Sequence, residues 1–176
     1  MAQCKGLLHV LMALCFFVLT IEGKCPECFV RVGGRCVKVI TDQLNGDEGY
    51  ARCEQLGADL AVVDTFDYFI KLGSFLMDNY NDTCYSPTRK SISYWTAGHR
   101  DRTTNNFYWN RYTASINKTK IEFPAGIDVY LSNSNNNEDC LELVQNSDKF
   151  VVNDVSCNNL KIANSAVKLC SICQVL

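Results

Sequence analysis

The stretch NNNEDCLEL, residues 135–143, is answered a few residues on by VVNDVSCNN, residues 151–159. Glu138 and Asp139 stand directly before Cys140, while Asn153 and Asp154 stand just before Cys157. Joined to each other, the two cysteines would close a small loop between neighbouring strands and bring these four oxygen-bearing side chains together. Clustered carboxylates repel unless something positive lies between them. Carboxylates, an amide and nearby carbonyls are also the ligands a calcium ion takes, six to eight at a time. The same residue types make ordinary turns and caps. On the residues alone both readings stay open.

Around this pair the chain reads as a secreted protein. Lys5 precedes an almost wholly apolar run, Leu7 to Thr20, and Gly23 is a small residue at a plausible cleavage point. Residues 1–23 therefore read as a secretory signal peptide and residues 24–176 as one mature domain. The apolar run is too short to span a membrane comfortably, and no other stretch approaches one. The net charge is −2, and losing Lys5 and Glu22 leaves it unchanged, so nothing electrostatic favours a nucleic acid or an anionic membrane as partner. Cys4 and Cys15 leave with the leader. Cys25, Cys28, Cys36, Cys53, Cys84, Cys140, Cys157, Cys170 and Cys173 remain, an odd number that a secreted chain should use mostly as disulfides.

Regular elements concentrate in the first half. FVRVGGRCVKVI reads as two extended runs around Gly33-Gly34, a hairpin signal. GDEGYARCEQLG reads as a helix that stops at Gly57. Asp64 or Thr65 can cap a second helix, on which Phe66, Phe69, Ile70, Gly73, Leu76 and Met77 form one apolar face for the core. YWTAG, FYWNRY, the alternation around Leu141 and Leu143, FVVND and the run around Val167 and Leu169 read as strands. Thr113 to Asn137 shows no regular period, and a loop of that length in a compact domain is usually functional. The class is α+β. The sequons at Asn81 and Asn117 lie in loop regions, where they suit glycan acceptors.

Several chemistries drop out. His9 belongs to the leader, which leaves His99 as the mature chain's only histidine, too few for a Ser/His/Asp or Cys/His device. The pairs Cys25-Pro-Glu-Cys28 and Cys170-Ser-Ile-Cys173 have zinc or redox spacing, but the secretory context favours disulfides. No phosphate-binding or dinucleotide glycine motif occurs, and nothing supports an enzyme.

Taken in order, CPECFVRVGGRC, GYARCEQLGADLAVV, YWTAGHRD, NEDCLEL, VVNDVSC and LCSIC resemble the successive motifs of the C-type lectin-like domain family, over nearly the whole mature chain. The resemblance implies that family's fold: two helices, antiparallel sheets and a long irregular loop region, stapled by disulfides. It implies the bridges Cys25–Cys36, Cys53–Cys170 and Cys140–Cys157. Pairing of the first and last strands would add Cys28–Cys173 and leave Cys84 free or available to link a homodimer.

In the family's sugar-binding members, calcium is held by a Glu-Pro-Asn or Gln-Pro-Asp triplet, the Glu before the cysteine and the Asn-Asp pair. Glu138, Asn153 and Asp154 match the last three. The triplet position holds Tyr130-Leu131-Ser132, so sugar preference does not carry over. Ser132 and Asn133 are the nearest replacement oxygens, with Asn135 and Asn136 beyond them. Asp101, Asn105 and Asp139 are placed for an auxiliary calcium. The expectation is a secreted, calcium-dependent protein that binds carbohydrates on cell surfaces, microbial ones in particular. The altered triplet supports an alternative: a lectin-like domain that binds a protein or other ligand without calcium.

Overall fold

A computed structural model describes residues 24–87, 89–109, 119–133, 137–157 and 167–175. The chain enters through a hairpin, β1 (Val30–Val32) and β2 (Arg35–Leu44), whose turn residues Gly33 and Gly34 have φ of +56° and +86°. Two consecutive positive φ values define the turn whose twist suits a tight hairpin, and glycine adopts them without strain. Helix α1 (Gly46–Glu54) follows a complete capping box: the Asn45 side chain accepts from the Glu48 amide, and the Glu48 carboxylate accepts from the Asn45 amide.

Helix α2 (Phe66–Tyr80) is capped by Thr65, whose hydroxyl accepts from the Tyr68 amide. Its buried face differs from the expected one. Tyr68, Phe69, Leu72, Gly73 and Leu76 face the core, while Phe66 and Ile70 are 42% and 48% exposed. The helix is turned by about one residue relative to the Phe66–Ile70–Met77 stripe.

The sheet runs in the order β1-β2-β10-β5-β8-β9-β7. The further strands are β5 (Ser91–Asp101), β7 (Val129–Tyr130), β8 (Cys140–Asn146), β9 (Lys149–Val155) and β10 (Leu169–Val175). Short strands β3 (Asp59–Leu60), β4 (Tyr85–Ser86) and β6 (Asn106–Tyr108) pair with β10, β5 and β5 respectively. Most neighbouring strands pair antiparallel, as expected, with two short exceptions. β10 runs parallel to β5, and β7 parallel to β9, so the sheet is mixed. The last strand, β10, lies antiparallel to β2, the second strand of the amino-terminal hairpin, while the first strand, β1, lies on the other edge of β2 and does not pair with β10, contrary to expectation. Trp95, Tyr94, Leu141, Leu143, Leu169 and Ile172 from the sheet meet Tyr68, Leu72 and Leu76 of α2 in one continuous core. At Gly98 a Cβ would lie 2.3 Å from Cδ1 of the fully buried Leu141, so only glycine lets β5 pass there.

Four bridges join the described cysteines: Cys25–Cys36, Cys53–Cys173, Cys84–Cys170 and Cys140–Cys157. The first and last are as expected; the other two are corrections. Cys53 pairs with Cys173 rather than Cys170, which removes the expected Cys28–Cys173 bridge. Cys84 is fully buried and bonded to Cys170, so the homodimer expected through Cys84 has no thiol there to form it. Cys170 and Cys173 are three residues apart on a strand, so their side chains point to opposite faces, and each meets a different helix end. With Cys25, Cys170 and Cys173 all in bridges, neither CxxC pair can serve as a zinc ligand set.

Candidate functional site

Three strands bring the expected ligand residues to one end of the sheet. In the β8–β9 ladder Leu141 faces Asp154 and Glu142 faces Asn153, with Cys140–Cys157 closing the open end. β7 lies on the far side of β9 with Tyr130 opposite Asn153, so Tyr130-Leu131-Ser132 does arrive beside the Asn-Asp pair. β5 supplies the third side, where the Arg100 amide donates to the Asp139 carbonyl at 2.7 Å.

The surprise is what lies between the acids. Arg100 reaches into the cluster: its Nη2 donates to Asp154 Oδ2 at 2.6 Å, its Nη1 to Asn105 Oδ1 at 2.8 Å, and its Nε to the Glu138 carbonyl at 3.3 Å. Phe107, directly opposite Arg100 in the β5–β6 ladder, lies flat beneath it, 4.3 Å from guanidinium carbon to ring centroid. The Arg100 side chain is 7% exposed and that of Asp154 fully buried. A buried carboxylate needs a cation or several donors, and Asp154 has both. Its Oδ1 accepts the Ser132 amide and its Oδ2 the Asn133 amide, each at 2.8 Å.

The other two expected ligands are engaged elsewhere. Glu138 Oε2 accepts from the Ser132 hydroxyl at 2.9 Å. Asn153 turns its amide inward, donating to Glu142 Oε1 at 2.9 Å and to the Asp154 carbonyl at 2.7 Å. The auxiliary set is likewise dispersed. Asp101 accepts from the Thr103 amide at 2.8 Å, Asn105 is held by Arg100, and Asp139 is ion-paired with Arg102, whose Nε lies 2.7 Å away. Among the described residues no group of three or more His, Cys, Asp or Glu side chains is disposed to hold a metal ion. The residues present therefore do not fit calcium at either expected position: a guanidinium already neutralises Asp154, and another Asp139.

Arg100, Arg102, Asn105, Asn133 and Asp139 wall a polar cleft of about 320 Å³. Asn133 Oδ1 is buried with no hydrogen-bond partner among the described residues. Such a group calls for a donor from water or ligand. Sequence reasoning named Asn133, Asn105 and Asp139 but missed both arginines. The available signal was two arginines close together, Arg100 near the end of β5 and Arg102 in the turn just past it.

Behind β9 sits a second buried charge. Glu142 is fully buried, and its carboxylate accepts from Arg89 and Asn153. Burial pushes its pKa up, opposed by the Arg89 charge and these hydrogen bonds. Of the sequons, Asn81 is exposed just past α2, and Asn117 lies outside the described residues. A larger cleft of about 1080 Å³, walled by Arg35, Asp64, Trp109 and Lys120, lies apart from every expected ligand.

Two helices packed on a mixed sheet, the last strand paired with the amino-terminal hairpin and the acid-bearing hairpin closed by Cys140–Cys157 make this the C-type lectin-like fold. Solved structures with that fold superpose on most of the chain. The Ca2+-independent C-type lectin SPL-2 from Saxidomus purpuratus is 18% identical, with a TM-score of 0.61 over 86% of this chain and 93% of its own. The SPL-1–GlcNAc complex is 18% identical, with a TM-score of 0.60 over 88% and 97%. A Ca2+-dependent type II antifreeze protein in its Ca2+-free form is 16% identical, with a TM-score of 0.59 over 86% and 100%. No family model and no curated protein matches the sequence.

Proposed function

We propose that this chain is a secreted carbohydrate-binding protein of the C-type lectin-like class that recognises its ligand without calcium. The carrying observation is the Arg100 guanidinium set between Asp154, Asn105 and the Glu138 carbonyl, where the expected metal would stand. The charges of the neighbouring cleft are already balanced, Arg100 by Asp154 and Arg102 by Asp139. What it offers a ligand is hydrogen-bond donors, together with the carbonyl of Asn133, which has no partner among the described residues. A sugar hydroxyl is both donor and acceptor and matches such a surface better than a bare ion does. That two of the structural neighbours are described as a Ca2+-independent lectin and a GlcNAc complex supports the class of ligand and the mode.

The leader at residues 1–23, the mature domain 24–176 and glycans on Asn81 and Asn117 belong to the same proposal. Disulfides of this number suit an oxidising compartment. Among the described residues no helix is long and apolar enough to cross a membrane. A second reading, a protein partner, draws on Tyr130 and Leu131, which are 51% and 42% exposed beside the cleft.

The test is glycan-array binding of the mature chain, microbial glycans included, in calcium and in chelator, alongside calcium calorimetry. Glycan signal that persists in chelator, with no calcium heat, is the expected result. Chelator-sensitive signal would restore a calcium-dependent lectin, and no glycan signal in either buffer would turn the assignment to a protein partner.

A further inference from the structure

The cleft of about 1080 Å³ shares no residue with the site around Arg100, and its volume is at the upper end of the range for small-molecule sites. Stretches distant in sequence wall it, and each is held in place. Cys25–Cys36 staples the chain entering the fold to β2. Arg35 Nη1 donates to the Val62 carbonyl at 2.7 Å, and the same guanidinium is ion-paired with Asp64. The Trp109 amide donates to the Thr119 carbonyl at 3.1 Å. Arg35 also lies over the Tyr68 ring, 4.3 Å from its centroid, and the Tyr68 hydroxyl donates to Oε1 of Gln174 on β10 at 3.2 Å.

The open valences of this lining are mostly donors. Asp64 spends its charge on Arg35. Lys24, Lys120 and Glu122 are exposed and enter no ion pair among the described residues, which leaves two ammonium groups against one carboxylate in a chain of net charge −2. Gln174 is only 3% exposed; Tyr68 holds its Oε1, and its Nε2 donors have no partner among the described residues. A nearly buried amide donor in a cleft wall calls for an acceptor. Bonds from such donors to an oxyanion are charge-assisted and the strongest they can make. Val62, Trp109 and Val175 supply an apolar part of the same lining, which suits a ligand with a nonpolar portion.

We propose that this cleft binds an organic carboxylate with a nonpolar body, drawn by Lys24 and Lys120, hydrogen-bonded by the Gln174 amide and packed on Val62, Trp109 and Val175. The site is independent of the sugar-binding reading, because the two clefts have no lining residue in common.

The probe is 2-naphthylacetate, titrated into the 15N-labelled mature chain beside its neutral amide, 2-naphthylacetamide. The chain has two tryptophans, so the indole N–H of Trp109 reports on the cleft, and that of Trp95, bonded to the Leu44 carbonyl at 2.8 Å inside the core, is the control. The Gln174 side-chain amide is the second reporter. Naphthylacetate should shift Trp109 and Gln174 saturably and leave Trp95 still, and the amide should bind roughly tenfold more weakly. Lys120→Gln changes an exposed side chain and should fold; it should weaken naphthylacetate roughly threefold and leave the amide unaffected. No saturable shift at either reporter, or equal binding of acid and amide, would overturn the proposal. Full affinity for the acid in the Lys24→Gln, Lys120→Gln double variant would overturn it too. None of these outcomes bears on the glycan-array result, which reads a different cleft.

Discussion

Removing the Arg100 guanidinium is the sharpest perturbation of this site. Arg100→Ala deletes the ion pair with Asp154, the bonds to Asn105 and the Glu138 carbonyl, and the contact with the Phe107 ring. Asp154 stays buried, holding only the amides of Ser132 and Asn133. Breaking a buried pair by removing one partner costs about 3–5 kcal/mol, because the surviving charge is left uncompensated. The two remaining amide donors place this case near the lower bound, about 3 kcal/mol, or roughly 6–12 °C in Tm for a chain of this size. The variant carries a second expectation. With the guanidinium gone, Asp154 Oδ2, Asn105 Oδ1 and the Glu138 carbonyl are three oxygens around a cation-sized space. Weak extracellular calcium sites have a Kd on the order of a millimolar. Calcium at tenfold its Kd would return about 1.4 kcal/mol to the variant and nothing to the native chain. Urea unfolding of both proteins, with millimolar calcium and with chelator, measures all four values. An Arg100→Ala midpoint within error of the native one, or calcium stabilising the native chain, would refute the assignment of Arg100 as the cation of this site.

Three further outcomes follow from features away from Arg100. Glu142 has a raised pKa in the fold, so its contribution to stability is present in acid and is lost as pH rises through the folded-state value. The stability of the native chain relative to Glu142→Gln should therefore increase as pH is lowered from 7 to 4, as followed by denaturant titrations; a difference that is flat or runs the other way would contradict the burial argument. Gly98→Ala forces a Cβ into Leu141 and should cost about 1–3 kcal/mol by the same measurement. Non-reducing peptide mapping should find Cys53 with Cys173 and Cys84 with Cys170, and the Cys84→Ser, Cys170→Ser double variant should lose about 2–5 kcal/mol.

What the sequence made legible was set by local chemistry. Gly33-Gly34 announces a hairpin because few other residues accept two positive φ values in succession, and Asn45 with Glu48 marks a helix start by reciprocal capping. Cys25–Cys36 and Cys140–Cys157 were implied by the family resemblance, and both bridges form. What escaped was decided across the fold. Cys170 and Cys173 differ only in the strand face they occupy, and that face is chosen by where α1 and the end of α2 come to rest. The apolar residues of α2 fit two overlapping stripes, and sheet packing selected Tyr68 and Leu72 over Phe66 and Ile70. Glu138, Asn153 and Asp154 lie at one end of the sheet, with Tyr130 to Ser132 beside them. Their partner was not foreseen, since an arginine in a strand gives no sign of whether it faces water or turns inward to an acid two strands away in the sheet.

A cation joined to the backbone by covalent bonds has consequences for timing and control. It never dissociates, its local concentration does not vary with the surrounding fluid, and no chelator competes for it. Metal depletion therefore has no purchase on Arg100. Any release of a ligand held beside it would have to come from the ligand's own off-rate or from competition, which makes this end of the sheet a permanent fixture and not a switch.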